Sequence, residues 1–342
     1  MRQIIYIDNF LTGHGHTPTT GTTLVKQFRS QGYTVIPSSS KNNKVLRLVE
    51  MISTIIRHRK NSVVLIATYS KAAFYFASAC GLVCRIFKIP YIPCLHGGNL
   101  PNRIKKSPRL SNVYFANSYT NVAVSGYLGA SMTNNGWKCL EIPNNIPLEK
   151  YKFMHRLQVS PTLFWVRSFH SNYNPQLAIR VLFQVRQRYP NTTLTMVGPD
   201  KDDHSLDKCK HLIKELQLEN YIALPGLMTR TEWTKLSEAH DIFINTTNFD
   251  NLPVSVIEGM ALGMVVISTS VGGVPFLIEQ NKTGILVPPE NEEAFFNAII
   301  KVLEEPEFAA NLSLEANKKA QQFDWNNIKV LWANLLTNIP AN

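Results

Sequence analysis

Short apolar runs alternate with stretches of helical spacing along the whole chain. In the first half the runs are IIYI (4–7), TVIP (34–37), VVLIAT (63–68) and YIPCLH (91–96), with helices expected near 21–31, 43–59 and 71–87. A second series follows: LFWVR (163–167), TLTMVG (193–198), YIALPG (221–226), DIFINT (241–246), VVIST (265–269) and GILVP (284–288). Its intervening helices fall near 175–189, 205–218, 230–239 and 253–262, and two more are expected at the end, in ENEEAFFNAIIKVLEEP and FDWNNIKVLWANLL. Such alternation predicts parallel strands joined by right-handed crossovers, here in two tandem halves. The pattern lapses between Pro147 and Pro161, which marks the join. The expected division is a Rossmann-like domain over 1–150, a second over 151–325, and a helix over 326–342 that packs back towards the first. Open sheets of this kind bind ligands at the carboxyl ends of their strands, so two facing sheets predict a cleft between them.

Length and composition fit that division. The 342 residues, 44% hydrophobic and 17% charged, suit two folded domains and offer no disordered tract. The run AAFYFASACGLV (72–83) is too short to span a bilayer and reads as a buried helix. The start MRQIIYIDNF breaks at Asp8 without a cleavage site, so the protein is expected in the cytoplasm. Its five cysteines form no CxxC pair, which fits reduced thiols rather than disulfides or a zinc site. Charge is unevenly shared: residues 1–150 carry +14 and residues 151–342 carry −3. A half so basic is attracted to phosphate-bearing partners or an anionic membrane, although a merely solubilising surface is the alternative.

The stretch NTTNFDNLPVSVIEGMALGMVVIST (245–269) concentrates the candidate chemistry. A strand ends there, a loop carries Asp250, and a helix follows in which Pro253 is placed at the first position and Gly263 supplies the stop. The helix start leaves the amides of 252–255 open to an anion such as a phosphate. Glu258, one turn further in among apolar residues, needs donors, and the paired hydroxyls of a ribose offer them. Asp250 would then face the next group along, a sugar.

These residues resemble the signature of retaining nucleotide-sugar glycosyltransferases of family 4, of GT-B fold. FDNLPVSVIEGMALGMVVISTSVGGVPFLI carries its two acids eight positions apart, separated by seven residues, with Asp250 where the family usually has Glu. The resemblance implies that Glu258 binds the donor ribose and Asp250 the transferred sugar, and Asn251, Leu252, Pro253 and Val254 are further candidates for donor binding. Arg167, ending LFWVR, resembles the arginine that neutralises that diphosphate. The lysine expected four or five residues later is replaced by Ser171 and Asn172, which leaves Lys201 or His170 as substitute cations. In CLHGGNLP, His96 resembles the family histidine that contacts the transferred sugar, with Gly97 beside it; a purely structural histidine is the alternative. In FLTGHGHTPTTGTT, Gly13, Gly15 and Thr22 are candidates for close approach of a phosphate or acceptor, while His14 and His16 read as solvent-facing. Gly226 resembles the segment that meets the nucleotide base.

Other classes fit less well. A nicotinamide dehydrogenase is disfavoured because Pro18 stands where GxGxxG needs its third glycine and no acid follows the second strand. A nucleotide-sugar epimerase shares the architecture, and a non-catalytic membrane- or anion-binding protein would explain the charge; both stay open. No zinc spacing or RNA-binding aromatic signature points to nucleic acid. DKD at 200–202 resembles a metal-binding motif of another fold but sits in a polar loop, so no metal and no cofactor are expected. The expected partners are a nucleotide-sugar donor, a lipid-linked or oligosaccharide acceptor, and an anionic membrane met by the basic domain. The implied setting is bacterial surface-polysaccharide synthesis at the inner face of the cell membrane.

Overall fold

The computed structural model describes residues 3–10 and 20–339. The chain forms two compact units, Met1–Asn144 with Val330–Asn342, and Asn145–Lys329. Each is a six-stranded parallel sheet with helical connections.

The first unit runs β1 (Gln3–Ile7), α1 (Thr20–Ser30), β2 (Val35–Ser38), α2 (Lys44–Arg57), β3 (Ser62–Thr68), α3 (Ala73–Ile86) and β4 (Tyr91–Leu95). It continues through α4 (Leu100–Lys106), α5 (Pro108–Phe115), β5 (Asn121–Ala123), α6 (Gly126–Asn134) and β6 (Cys139–Glu141). Its strand order is β2-β1-β3-β4-β5-β6, with Ile4 opposite Val63 and Leu65 opposite Ile92. β3 and β4 are buried along their whole length, which is why their sequences read as unbroken apolar runs. Cys80 and Cys84 lie in this core, and all five cysteines are free thiols.

The second unit runs β7 (Thr162–Val166), α7 (Pro175–Arg186), β8 (Thr193–Val197), α8 (Ser205–Glu215), β9 (Ile222–Gly226), α9 (Arg230–Leu236) and β10 (Ile242–Asn245). Then follow α10 (Val254–Ala261), β11 (Val265–Thr269), α11 (Val274–Leu277), β12 (Ile285–Val287), α12 (Glu292–Glu304), α13 (Pro306–Ala320) and α14 (Trp325–Thr337). Strand order is β12-β11-β10-β7-β8-β9, so the winding reverses between β7 and β10. Ligands in such sheets bind beyond the carboxyl ends of the strands at that reversal, where two loops diverge and leave a crevice. The residues just after β7 and β10 therefore define where to look.

Two expectations need correction. The run 72–83 forms α3 but is not a buried helix: Phe74, Ala77 and Cys80 face the core while Tyr75 and Leu82 lie exposed. A helix covering one face of a sheet buries only one stripe, and here the outward stripe is also apolar. Pro253 is the residue before α10 rather than its first member, with φ −69° and an extended ψ of 108°. Gly263 ends that helix as expected, with φ +79° and no room for a Cβ against the Met154 carbonyl.

Candidate active site

β7 ends at Val166, so Arg167 emerges at the reversal point of the second sheet. Its Nη2 is ion-paired with Asp250 Oδ2, Nε reaches Asn245 Oδ1 at 3.5 Å, and the guanidinium lies over the Tyr173 ring at 4.9 Å. Asp250 stands on the loop after β10, and its other oxygen accepts the Asn251 amide at 2.8 Å.

That loop is braced from both sides. Asn172 Nδ2 donates to the Phe249 carbonyl at 2.9 Å, and the Asn248 amide donates to the Asn172 carbonyl at 2.8 Å. So Asn172, at the place of the lysine the resemblance called for, holds the acid loop instead of supplying charge. From the other side, the Gly273 amide donates to the Asp250 carbonyl at 3.1 Å. Gly272, at φ +54°, packs so closely that a Cβ there would sit 2.0 Å from the Asp250 carbonyl oxygen. The GGVP turn is thus a backbone support for the acid.

α10 starts behind the loop without a side-chain cap, and its first amides have no acceptor within the helix. In its first turn the Ser255 Oγ is buried with no hydrogen-bond partner among the described residues. Leu252 and Pro253 are buried and Val254 is half-buried. Together these groups make a site for an anion.

Glu258 is buried one turn into α10. Its Oε1 accepts the Tyr151 hydroxyl at 2.5 Å and pairs with Arg230 Nε at 3.2 Å, while Oε2 has no partner among the described residues. Burial pushes the carboxyl upward, opposed by Arg230, by the Tyr151 hydrogen bond and by Arg167. Burial and the neighbouring Glu258 push the Tyr151 phenol far up, so it remains a donor at any working pH. Sequence reading missed Tyr151 and Arg230. Arg230 had one local signal, its place as first residue of α9 after the Thr229 capping box that follows Gly226.

The suggested substitute cations do not reach this site. The ring of His170 accepts the Asn172 amide on Nδ1 and lies 3.9 Å from Asp203 on Nε2, and Lys201 is exposed. The cations brought to the acids, among the described residues, are Arg167 and Arg230. Beside Arg167 opens a pocket of about 210 Å³ lined by Arg167, Tyr173, Gly198, Leu227 and Trp233. Gly226, at φ +76°, turns the chain into the pocket wall, and its carbonyl accepts the Gly198 amide.

In the first unit, His96 follows β4, with its ring 5.8 Å from that of Tyr69. Its Nε2 is sealed from solvent and has no hydrogen-bond partner among the described residues. Burial brings its pKa down to about 4, so the imidazole is neutral near pH 7. The Gly97 backbone presses on the loop after β3, where a Cβ would meet the Ser70 nitrogen at 2.7 Å. Thr22 lies in the first turns of α1. Gly13 and Gly15, with His14 and His16, lie outside the described residues. Among the described residues no cluster of His, Cys, Asp and Glu could hold a metal ion.

Two Rossmann-like units, the second with an arginine and two acids at its reversal point, define the GT-B class of glycosyltransferases. Solved structures of that class align over nearly the whole chain. The Anabaena protein HepE, crystallised with UDP and glucose, matches with a TM-score of 0.76 and 16% identity, covering 99% of this chain and 100% of that one. Sucrose-phosphate synthase from Thermosynechococcus elongatus matches with a TM-score of 0.78 at 15% identity, covering 98% of each chain. At such identities the likeness is one of fold.

The profile of the family described as Glycosyl transferases group 1 matches residues 149–319, and this chain belongs to that family. D-inositol 3-phosphate glycosyltransferase of Corynebacterium glutamicum is 25% identical over 171 residues, which are 49% of this chain and 41% of that protein. WcaL of Salmonella typhimurium, described as a colanic acid biosynthesis glycosyltransferase, is 28% identical over 140 residues, 39% of this chain and 34% of the relative. The matches thus span less than half the length of either relative.

Proposed function

We propose that this chain transfers a sugar from a nucleotide-sugar donor to a lipid-linked saccharide, with retention of anomeric configuration and without a metal ion, in bacterial surface-polysaccharide synthesis. The observation that carries the reading is the presence, at one sheet reversal, of a buried carboxylate with one oxygen unpartnered among the described residues, and of an uncapped helix start together with Arg167. A ribose needs the first, and a diphosphate needs the second.

The donor lies against the second unit, with its ribose hydroxyls on Glu258 Oε2. Its diphosphate takes the first amides of α10, the Ser255 hydroxyl and the Nη1 edge of Arg167. Charge that develops on the leaving diphosphate then meets groups already aimed at it, which lowers the barrier without solvent reorganisation. Asp250 keeps a second lone pair on each oxygen for the sugar hydroxyls. His96, being neutral, is suited to act as a hydrogen-bond partner rather than as a charged acid. The acceptor hydroxyl attacks on the face the diphosphate leaves, and its proton passes to a leaving-group oxygen. UDP is the first nucleotide to try, since HepE was crystallised with UDP and with UDP-glucose. Polysaccharide synthesis is supported by the description of WcaL.

The test is a thermal-shift screen of UDP, GDP, ADP and their sugar conjugates in EDTA, with Glu258→Gln as control. Stabilisation by one nucleotide class, lost in the variant, is the expected result. No shift with any nucleotide, or an equal shift in the variant, overturns the donor site. Activity that requires added manganese overturns the metal-free mechanism, and an inverted anomer in the NMR spectrum of the product overturns retention.

A further inference from the structure

α2 and α3 lie side by side on the first sheet: Met51 of one and Phe76 and Ala77 of the other line the same small cavity. Each helix turns a second apolar stripe outward. On α3, Tyr75, Leu82 and Ile86 recur at helical spacing and are 51%, 51% and 66% exposed, with Phe87 just beyond. On α2, Val45, Leu46 and Val49 are 57–70% exposed, and the half-buried Ile52 and Ile56 continue the row. Single exposed apolar residues are ordinary, but two adjoining stripes form a patch that needs a partner. No described helix is long and apolar enough to cross a membrane, so this patch is a surface feature.

Its charge says what the partner is. Residues 41–118 hold thirteen Lys and Arg against one acid, Glu50, whose carboxylate is bonded to the Ser39 hydroxyl. Lys44, Arg57, Arg59, Lys60, Arg85 and Lys88 flank the stripes, and the guanidinium of Arg59 lies over the Phe87 ring at 5.7 Å. A second copy of this face would repel the first, charge for charge. A nucleic acid would meet its phosphates, but an aliphatic ridge offers no stacking platform for bases. An anionic bilayer satisfies both parts at once: acyl boundary for the ridge, lipid phosphates for the rim.

We propose that the outward face of α2 and α3 docks the protein in the headgroup boundary of an anionic membrane. This rests on the lipid-linked acceptor of the function proposed above and names the surface that would bring the protein to it, yet it stands whether or not the donor site is as described. The test is co-sedimentation of the full chain with vesicles of phosphatidylcholine alone or mixed with phosphatidylglycerol, without donor. Binding is expected only to the mixed vesicles and to weaken with salt. The doubly substituted Leu82→Glu/Ile86→Glu protein should bind about tenfold less or worse, because two apolar side chains lose their burial. Val45→Glu/Val49→Glu, on the neighbouring helix, gives an independent reading. Unchanged melting temperature and nucleotide response in both show that the fold and the donor site survive. The proposal is overturned if neither vesicle is bound at low salt or if both variants bind like wild type. It is also overturned if the variants abolish a concentration-dependent dimer or heparin displaces wild type and variants alike; these outcomes assign the face to self-association or to a soluble polyanion.

Discussion

Replacing Tyr151 by Phe removes one hydroxyl from the proposed donor site and leaves every other contact of the ring. That hydroxyl donates to buried Glu258 at 2.5 Å, whereas Arg230, the other partner of the same oxygen, is 46% exposed and therefore screened. A hydrogen bond to a charged group contributes about 1.5–3 kcal/mol, and an exposed ion pair about 1 kcal/mol at most. Tyr151 thus holds the carboxylate alongside Arg230, through a hydrogen bond that solvent does not screen. Loss of about 2 kcal/mol should lower the melting temperature by roughly 4–8 °C in a unit of this size. The effect on binding is more specific. The Tyr151 hydrogen bond holds the Glu258 carboxyl down against burial, so without it the group takes up its proton at higher pH. Nucleotide affinity, measured by calorimetry from pH 5 to 8, should be about tenfold weaker near neutrality, close to 1.4 kcal/mol. As pH falls it should begin to decline earlier in Tyr151→Phe than in wild type, while Glu258→Gln binds weakly at every pH. A Tyr151→Phe protein with the wild-type pH profile, or a Glu258→Gln protein with wild-type affinity, refutes the assignment.

Gly272→Ala forces a Cβ into the Asp250 carbonyl at a φ of +54°, so the acid loop must shift. It should cost about 1–3 kcal/mol of stability and, through a displacement on the order of 1 Å, about a hundredfold in kcat/KM; full turnover in a donor assay rejects the bracing role. His96 bears on pH dependence. Unfolded, its imidazole binds a proton near pH 6.5, but folded only near pH 4, so the unfolded state holds more protons between those values. Stability should therefore fall as pH drops from about 6.5 to 4, and His96→Gln should flatten that window in melting curves; an identical slope places the effect elsewhere.

Much of the fold was legible because buried parallel strands are unbroken apolar runs: VVIST coincides with β11 to the residue. The region between His96 and Pro147 was not, and it holds α4, α5, β5, α6 and β6. Its two strands are three residues each, too short for a period, and α6 contains Gly126 and Gly129. The outward stripe of α3 was hidden by composition, since Ala, Cys and Gly on its inner side carry no polar contrast. At the site, the two acids and Arg167 could be found from their order along the chain. Their pairing could not, because Arg167 meets Asp250 across 83 positions and Tyr151 meets Glu258 across 107. Asn172 shows the converse: a missing cation was visible in sequence, but the hydrogen bonds that give Asn172 its use were not.

α14 begins at Trp325 among residues of the second unit and ends within the first, where Trp332 packs edge-on against Phe28 at 5.4 Å and the Tyr119 hydroxyl donates to the Asn338 carbonyl at 2.8 Å. The first Rossmann unit is therefore discontinuous in the gene. A chimaera that exchanges residues 1–144 alone between two relatives would seat a foreign Phe28 neighbourhood beneath a resident Trp332. Any shuffling of the first unit has to move the final helix with it, as a second crossover point near Val330.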